Sequence, residues 1–144
     1  MTSKTDFSFF HTLRVRWAEV DLQRVVFNGN YLLYFDVAFT EFWRTTGLPD
    51  PIAQQQAGCE LFVRKAELEY LGGAGFDDIL DIGVRCEKVG RTSFTMALSI
   101  FRDNELLIIG SMVYVYADAQ AKKAVEIPVS WRERLQNVPA TSSS

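Results

Sequence analysis

A long apolar segment constrains this chain more than any other feature of its sequence. Residues 31–46 contain neither Gly nor Pro, which makes the segment too long for an ordinary strand. Asp36, Thr40 and Arg44 recur every four residues as one narrow polar stripe. We therefore predict a helix that is buried around most of its circumference. Its apolar residues are Tyr31, Leu32, Leu33, Tyr34, Phe35, Val37, Ala38, Phe39, Phe42 and Trp43.

Both ends of this helix carry boundary signals. Asn30, or Asn28 before it, can accept a hydrogen bond from the free amides of the first turn. Gly47 followed by Pro49 predicts the end of the helix.

Alternating apolar residues predict about five strands around the helix. The blurred alternation near residues 63–65 predicts a bulge in the second strand. The last strand is apolar on both faces, as expected for a central strand. The predicted strands span residues 9–17, 61–70, 80–87, 94–101 and 106–117.

The order of these elements is a strand, the long helix and then four strands with short links. Short links require mainly antiparallel pairing, so the sequence predicts an α+β fold with a curved sheet around one helix.

With 144 residues, 48% of them hydrophobic, we expect one domain over residues 1–144. A capping-box pattern, Ser130 followed by Glu133, predicts a short terminal helix around Trp131, and a loose tail is expected from about residue 137. One short sheet leaves edges unprotected, so pairing with a second subunit is expected.

Charge, hydropathy and cysteine content limit the classes of binding partner and the cellular compartment that we expect. The net charge of −3 provides no basic footprint, which argues against nucleic acid as a partner. No run is long and apolar enough to span a membrane, and no signal-peptide segment opens the sequence. Two cysteines, Cys59 and Cys86, are expected to be reduced, which suits the cytoplasm.

Several common catalytic motifs are absent from the sequence. There is no serine elbow, no phosphate-binding loop and no Cys/His cluster for zinc, so no metal is expected. Gly72, Gly73 and Gly75 precede a strand instead of a helix, which does not fit a dinucleotide fingerprint. The only histidine, His11, falls on the apolar side of the first strand, where a packed imidazole and a site role are both open.

Asp21 is the carboxylate that remains, between the first strand and the buried helix. It could attack an acyl carbon or take a proton from water, while free amides at the helix start polarise the carbonyl oxygen. The alternative is that Asp21 only caps its turn through its side-chain oxygen.

The stretch V-R-W-A-E-V-D-L-Q-R-V-V-F-N-G-N-Y-L-L-Y-F-D-V-A-F-T-E-F-W-R resembles the amino-terminal signature of the 4-hydroxybenzoyl-CoA thioesterase family, which includes the thioesterases associated with the Tol-Pal system. The likeness continues through F-V-R-K at residues 62–65, E-Y at 69–70, F-D-D at 76–78 and G-R-T-S-F at 90–94. The resemblance implies the hotdog fold, an antiparallel sheet wrapped around one long helix. It also implies an acyl-CoA thioesterase without a cofactor other than the coenzyme A of its substrate. Family members form homodimers and commonly homotetramers, with active sites at the dimer interface.

The resemblance also implies roles for individual residues. The catalytic carboxylate falls on Asp21, as nucleophile or general base, and the polarising amide falls on Asn28. Glu41 matches a structural glutamate of the family. The residues expected to contact the substrate or the coenzyme A phosphates are Arg24, Phe27, Tyr31, Arg64, Lys65, Lys88, Arg91, Thr92 and Ser93. For each charged residue among them, the alternative is a solvated surface side chain without a role in binding.

Three departures from the family pattern bear on the substrate. Arg24 stands where many relatives have glycine, Asn28 stands where they have histidine, and residues 71–75 replace a turn proline. A hydratase on the same fold would use a histidine near the helix, which this chain lacks. The remaining alternative is a non-catalytic dimer that binds acyl-CoA, acyl carrier protein or a protein partner, with Asp21 structural.

Overall fold

The computed structural model describes residues 2–136 and contains one antiparallel sheet with three helices. The sheet order is β1-β3-β4-β5-β2, with the two-residue β6 paired to β5. The helices are α1 (Asn28–Thr46), α2 (Pro51–Gln56) and α3 (Val129–Gln136). The strands are β1 (Phe9–Arg14), β2 (Cys59–Tyr70), β3 (Ile79–Val89), β4 (Ser93–Arg102), β5 (Glu105–Asp118) and β6 (Lys123–Ala124).

Helix α1 packs on one face of the sheet and forms the centre of the core. Phe35 is fully buried and lies over Gly110 of β5, where any side chain would overlap its ring. Phe39 stacks on Tyr114 of the same strand, with ring centroids 4.2 Å apart and an interplanar angle of 13°. This arrangement confirms the predicted α+β architecture of a sheet curved around one long helix.

The start of α1 differs from the prediction and its end agrees with it. The helix begins at Asn28, and the residue that precedes it, Phe27, makes no side-chain capping hydrogen bond. Asn30 lies inside the first turn, where its side-chain amide donates to the backbone oxygen of Glu19 at 3.0 Å. The predicted asparagine cap is therefore wrong. At the other end, Gly47 adopts the left-handed conformation (φ 74°) that stops the helix.

The helix is also less completely buried than its composition predicts. Leu32, Leu33 and Val37 are 40%, 51% and 40% exposed, because the sheet of one chain covers only one face of α1. The apolar residues that the sheet does cover are Tyr31, Tyr34, Phe35, Ala38, Phe39, Phe42 and Trp43.

The five longer strands, β1 to β5, match the predictions in number and order, and the two-residue β6 was not predicted. The predicted bulge is confirmed by a register shift between Val63 and Lys65 in the pairing of β2 with β5. Strand β1 is shorter than predicted, because it ends at Arg14 and Trp17 lies in a 3-10 turn, 72% exposed. The predicted strand was too long because the alternation of apolar residues continues through that turn to Trp17.

The helices outside the core show two further differences. Residues 51–56, for which no helix was predicted, form α2, which Asp50 caps by accepting from the amide of Ala53 at 2.8 Å. Helix α3 includes the buried Trp131 but begins at Val129, so Ser130 is inside the helix and not its cap. The predicted tail from residue 137 lies outside the described residues.

Cys59 is buried, Cys86 is half-buried, and the two are free thiols in the structure. Within residues 2–136, no helix is both long and apolar enough to cross a bilayer.

Candidate active site

Asp21 lies in a tight loop between β1 and α1. The loop is closed by an isolated antiparallel bridge between Val20 and Val26. The amide of Asp21 donates to the oxygen of Val25 at 2.9 Å, and the amide of Arg24 donates to the oxygen of Asp21 at 2.9 Å. Arg24 adopts a left-handed φ of 68°, which turns the chain back toward the helix. The loop therefore has a defined shape.

The carboxylate of Asp21 is half-buried, and one of its two oxygens already accepts a hydrogen bond. Its Oδ1 accepts a hydrogen bond from the amide of Gln23 at 2.8 Å, which is the predicted turn-capping contact. Within residues 2–136, Gln23 is the one donor to this carboxylate, so the second oxygen is available to a ligand. The turn contact therefore uses one oxygen of Asp21 and leaves the other without a donor among the described residues.

The first turn of α1 supplies free backbone amides beside this loop. Because the helix begins at Asn28, the amides of Asn28 and Gly29 have no acceptor within the helix. The amide of Phe27 is already used, since it donates to the oxygen of Glu19 at 2.9 Å. Free amides at a helix start favour a negatively charged group such as an oxyanion.

Tyr31 lies in the first turn of α1. Burial raises the pKa of its phenol most, and the negative charge of Asp21 contributes in the same direction. The ring is 2% exposed, and its hydroxyl accepts from the amide of Ala74 at 3.0 Å. Tyr31 is therefore a core residue whose hydroxyl already has a hydrogen-bond partner within the protein.

A cavity of about 470 Å³ opens at Asp21. Trp17, Val20 and Leu22 provide its apolar walls, and Arg24 provides a cation. The Leu22 side chain is fully exposed, and Trp17 meets Phe76 edge to face with centroids 5.4 Å apart. Large exposed apolar side chains around one carboxylate are typical of a site that binds an apolar group.

Glu19 is a functional candidate that sequence reasoning missed. It is 7% exposed, and its carboxylate accepts hydrogen bonds from Arg16 and from the hydroxyl of Tyr34. Burial raises the pKa of Glu19, but the hydrogen bonds from Arg16 and Tyr34 and the charge of Arg16 outweigh it and leave the pKa below its usual value. Asp21 is therefore not the lone carboxylate of this segment. The signal in the sequence was an acidic residue between the apolar Ala18 and Val20.

Comparison with known proteins identifies the family. The thioesterase superfamily model matches residues 23–109. The chain belongs to the thioesterase superfamily. A protein of Aquifex aeolicus that is provisionally named an esterase is 30% identical over 96 residues, covering 67% of this chain and 74% of that protein. The chain is a thioester hydrolase, in agreement with the predicted class of enzyme.

Two further relatives agree with this family. The acyl-CoA thioesterase YbgC of Haemophilus influenzae is 23% identical over 123 residues, covering 85% of this chain and 90% of that protein. The solved structure of Slr0204, a 1,4-dihydroxy-2-naphthoyl-CoA thioesterase from Synechocystis, matches with a TM-score of 0.83 at 17% identity, covering 90% of this chain and 96% of that one. The structural match shows that this thioesterase has the hotdog fold.

The basic residues predicted to contact coenzyme A lie far from Asp21 within one chain of this thioesterase. Asp21 lies at the end of the sheet where β3 begins, and Lys88 lies where β3 ends. A strand of this length spans roughly 35 Å at ~3.3 Å per residue. Arg91 and Thr92 lie at the same far end, in the turn between β3 and β4, and Ser93 is the first residue of β4. One chain therefore does not bring these four residues to Asp21.

The other predicted charged residues are partly engaged on the surface of the thioesterase. Lys65 pairs with Glu67 at 3.0 Å, and Arg91 approaches Glu126 at 3.7 Å. Glu41 pairs with Arg44 at 3.3 Å on the exposed face of α1. Arg64 is exposed at the bulge of β2.

Neither a cluster of possible metal ligands nor His11 lies at Asp21 in the described residues. In the part of the chain that the structure describes, no three His, Cys, Asp or Glu side chains come together as a possible metal site. His11 is half-buried on β1 and lines a cavity of about 330 Å³ with Arg14, Arg16 and Glu19. It does not line the cavity at Asp21.

Proposed function

We propose that this protein is an acyl-CoA thioesterase that uses Asp21 and the free amide of Asn28. The observation that carries the proposal is the position of Asp21, which presents an available carboxylate oxygen to an apolar cavity beside the free amides of α1. The reaction releases a carboxylic acid and free coenzyme A, and it needs no cofactor beyond the coenzyme A of the substrate.

The chemistry has two forms that share these groups. As a general base, Asp21 takes a proton from water, and the resulting hydroxide adds to the thioester carbon. As a nucleophile, Asp21 adds to that carbon itself, and water then hydrolyses the anhydride that forms. In both forms the Asn28 amide stabilises the oxyanion, and the coenzyme A thiolate leaves and is protonated.

The cavity walls indicate how the acyl group binds. Trp17, Leu22 and Phe76 together form an apolar surface that suits an acyl chain or an acyl ring. Arg24 stands at the same cavity and can contact a polar part of the substrate. Phe27, which is 53% exposed, lies next to the Asn28 amide and can pack on the thioester.

An oligomer would bring the coenzyme A residues to the site. Strand β2 is an edge strand, and along it Phe62, Val63 and Tyr70 are 42%, 47% and 52% exposed. Such an edge favours pairing with another strand. If β2 pairs with β2 of a second copy around a two-fold axis, the strands run antiparallel. The end that carries Lys88 of the partner subunit then meets the end that carries Asp21.

This pairing also explains the exposed apolar side chains of α1. Leu32 lies on the exposed part of α1, and the sheet of a second copy extends the surface that can cover it. A homodimer is the minimum assembly for this site. The homotetramer and the cytoplasmic location stay predictions.

The experiment that tests this function measures free thiol released from short aliphatic, long aliphatic and aromatic acyl-CoA thioesters. We expect turnover by the native protein and a loss of at least ~10²-fold in kcat for Asp21→Asn. The matched control is Asp103→Asn, the same chemical change in the exposed turn between β4 and β5. It should retain native turnover.

Absence of turnover would favour the alternative, a non-catalytic dimer in which Asp21 is structural. If the folded protein hydrolyses none of these thioesters, the proposed function fails. Binding of acyl-CoA or acyl carrier protein by calorimetry would then test the non-catalytic role. The contact between Asp21 and the amide of Gln23 favours that alternative, because it gives Asp21 a structural use. A large fall in the melting temperature of Asp21→Asn would favour the turn-capping role.

A further inference from the structure

Glu19 is the only buried charged residue among residues 2–136. Its Oε1 accepts from the amide of Arg16 and from the hydroxyl of Tyr34, both at 2.8 Å. Its Oε2 accepts from Nε and Nη2 of Arg16 at 2.9 and 2.5 Å. Every partner is a donor, so the ionised carboxylate satisfies all four hydrogen bonds and a protonated one would not.

The backbone of Glu19 is equally engaged. Its oxygen accepts from the amide of Phe27 at 2.9 Å and from the side-chain amide of Asn30 at 3.0 Å. Phe27 immediately precedes Asn28, whose amide is the free donor of the site. Glu19 therefore fixes the chain on the residue before that donor and on the residue two places after it.

The same residue borders the loop that carries Asp21. The bridge between Val20 and Val26 begins directly after Glu19, and Asp21 follows one residue later. Asp21 and the Asn28 amide come from opposite arms of this loop. Glu19 joins the two arms at the base, through its backbone to Phe27 and through its side chain to Tyr34 on the next turn of α1.

We propose that Glu19 is a positioning residue that holds the Asp21 carboxylate and the Asn28 amide in fixed relative positions. This role rests on the proposed function, because it acts through Asp21. Misplacing a reacting group by about 1 Å can cost ~10²-fold in rate. A buried carboxylate with four donors to it and a doubly accepting carbonyl is a rigid way to prevent that displacement.

The first test variant is Glu19→Gln, which keeps the size of the side chain but turns a donating amide toward Arg16 or Tyr34. We expect kcat for the best thioester to fall by about 10- to 100-fold, with KM changed less than about threefold. Assays are run well below the melting temperature, so that loss of stability alone does not lower kcat. The matched control is Glu133→Gln on the exposed surface of α3, which should retain native kcat.

Combination with Asp21→Asn separates positioning from a general structural role. A residue that acts through Asp21 should lower kcat no further when Asp21 has already been replaced. We therefore expect the double variant Glu19→Gln/Asp21→Asn to be as slow as Asp21→Asn. An equal further loss in the double variant, or a native kcat for Glu19→Gln, overturns the proposal.

A second variant decides the question if Glu19→Gln does not fold. Tyr34→Phe removes one of the four donors and leaves both side-chain contacts of Arg16. We expect kcat to fall at least threefold and hydrogen exchange at the Phe27 amide to accelerate. If either quantity keeps its native value, Glu19 does not position the site.

Asp21→Asn measured alone distinguishes the two proposals. If Asp21→Asn retains native kcat, the proposed function fails. If Asp21→Asn abolishes turnover but Glu19→Gln retains native kcat, only the positioning role of Glu19 fails.

Discussion

The ring of Phe35 on α1 packs directly against the backbone of Gly110 in β5. A methyl group at residue 110 would lie 2.6 Å from Cζ of the ring, and Phe35 is fully buried, so the ring has no free space to move into. The absence of a side chain at Gly110 therefore sets how closely the long helix approaches the sheet.

Gly110→Ala should destabilise the fold through this overlap. Overpacking of a core costs ~1 to 3 kcal/mol in the free energy of unfolding, and a rigid aromatic ring places this site at the upper end. Urea unfolding followed by circular dichroism measures the change. Gly75→Ala is the control, because its methyl group would lie 3.6 Å from the nearest atom, an ordinary contact.

A compensating change gives this prediction a second check. Phe35→Leu makes room for the new methyl group, so the double variant should be more stable than the sum of the two single changes predicts. Strict additivity would show that the overlap is relieved elsewhere in the core.

Acid should weaken the hydrogen bonds that the Glu19 carboxylate accepts from Arg16 and Tyr34. The pKa of Glu19 in the folded protein lies below the ordinary value of 4.5, so its stabilising effect is complete above that pH and is lost as the pH falls through the lower folded value. Thermal melts across pH 3 to 7 should therefore show a smaller acid-induced fall in Tm for Glu19→Gln than for the native protein. At pH 7 the variant should be less stable by ~1 to 3 kcal/mol, because donors are left unpaired. Parallel Tm curves would contradict this assignment.

The thiol of Cys86 should react slowly with alkylating agents in the folded protein. Burial is the main cause that raises its pKa, to about 11, despite the nearby positive charge of Arg85. The thiolate is the reacting form, so alkylation of Cys86 by iodoacetamide should be much slower at pH 7.5 than in the urea-unfolded chain. Peptide mapping by mass spectrometry gives both rates. Equal rates in the two states would show that the thiol is freely accessible and unperturbed.

The exposed edge of β2 should carry the subunit contact. Val63→Glu places a charge on this edge strand, and pairing with a second copy would bury that charge without a partner, so we expect a monomer. Ile52→Glu on α2 is the matched control, because Ile52 is 63% exposed and lies off the sheet. Light scattering after size-exclusion chromatography measures the mass. A native protein that is monomeric at assay concentration would contradict the pairing.

Local patterns predicted the fold well where burial repeats with a regular period. The segment at residues 31–46 forms a helix, the four later strands are in place, and the bulge near Val63 follows from its disturbed alternation. The same reasoning failed at boundaries. Trp17 keeps the alternation of β1 but lies in an exposed turn, and Asn30 matches a helix cap but bonds to Glu19, because tertiary contacts outweigh these weak local preferences.

The site was only partly visible in the sequence. Asp21 and Asn28 were found because a carboxylate and a helix start are local features. Glu19 was missed because its significance depends on Arg16 and on Tyr34, which lies 15 residues away in the chain. Lys88 and Arg91 matched the family pattern, but one chain places them at the far end of the sheet from Asp21.

The sequence by itself determined the long helix and the five longer strands and that one long apolar helix needs a sheet to cover it, because period and length are properties of local chain order. Only the tertiary structure decided that Gly110 admits the ring of Phe35, that Glu19 is buried with four donors, and that α1 and β2 keep exposed apolar side chains. Those facts depend on contacts between residues distant in the chain, and no local period encodes them.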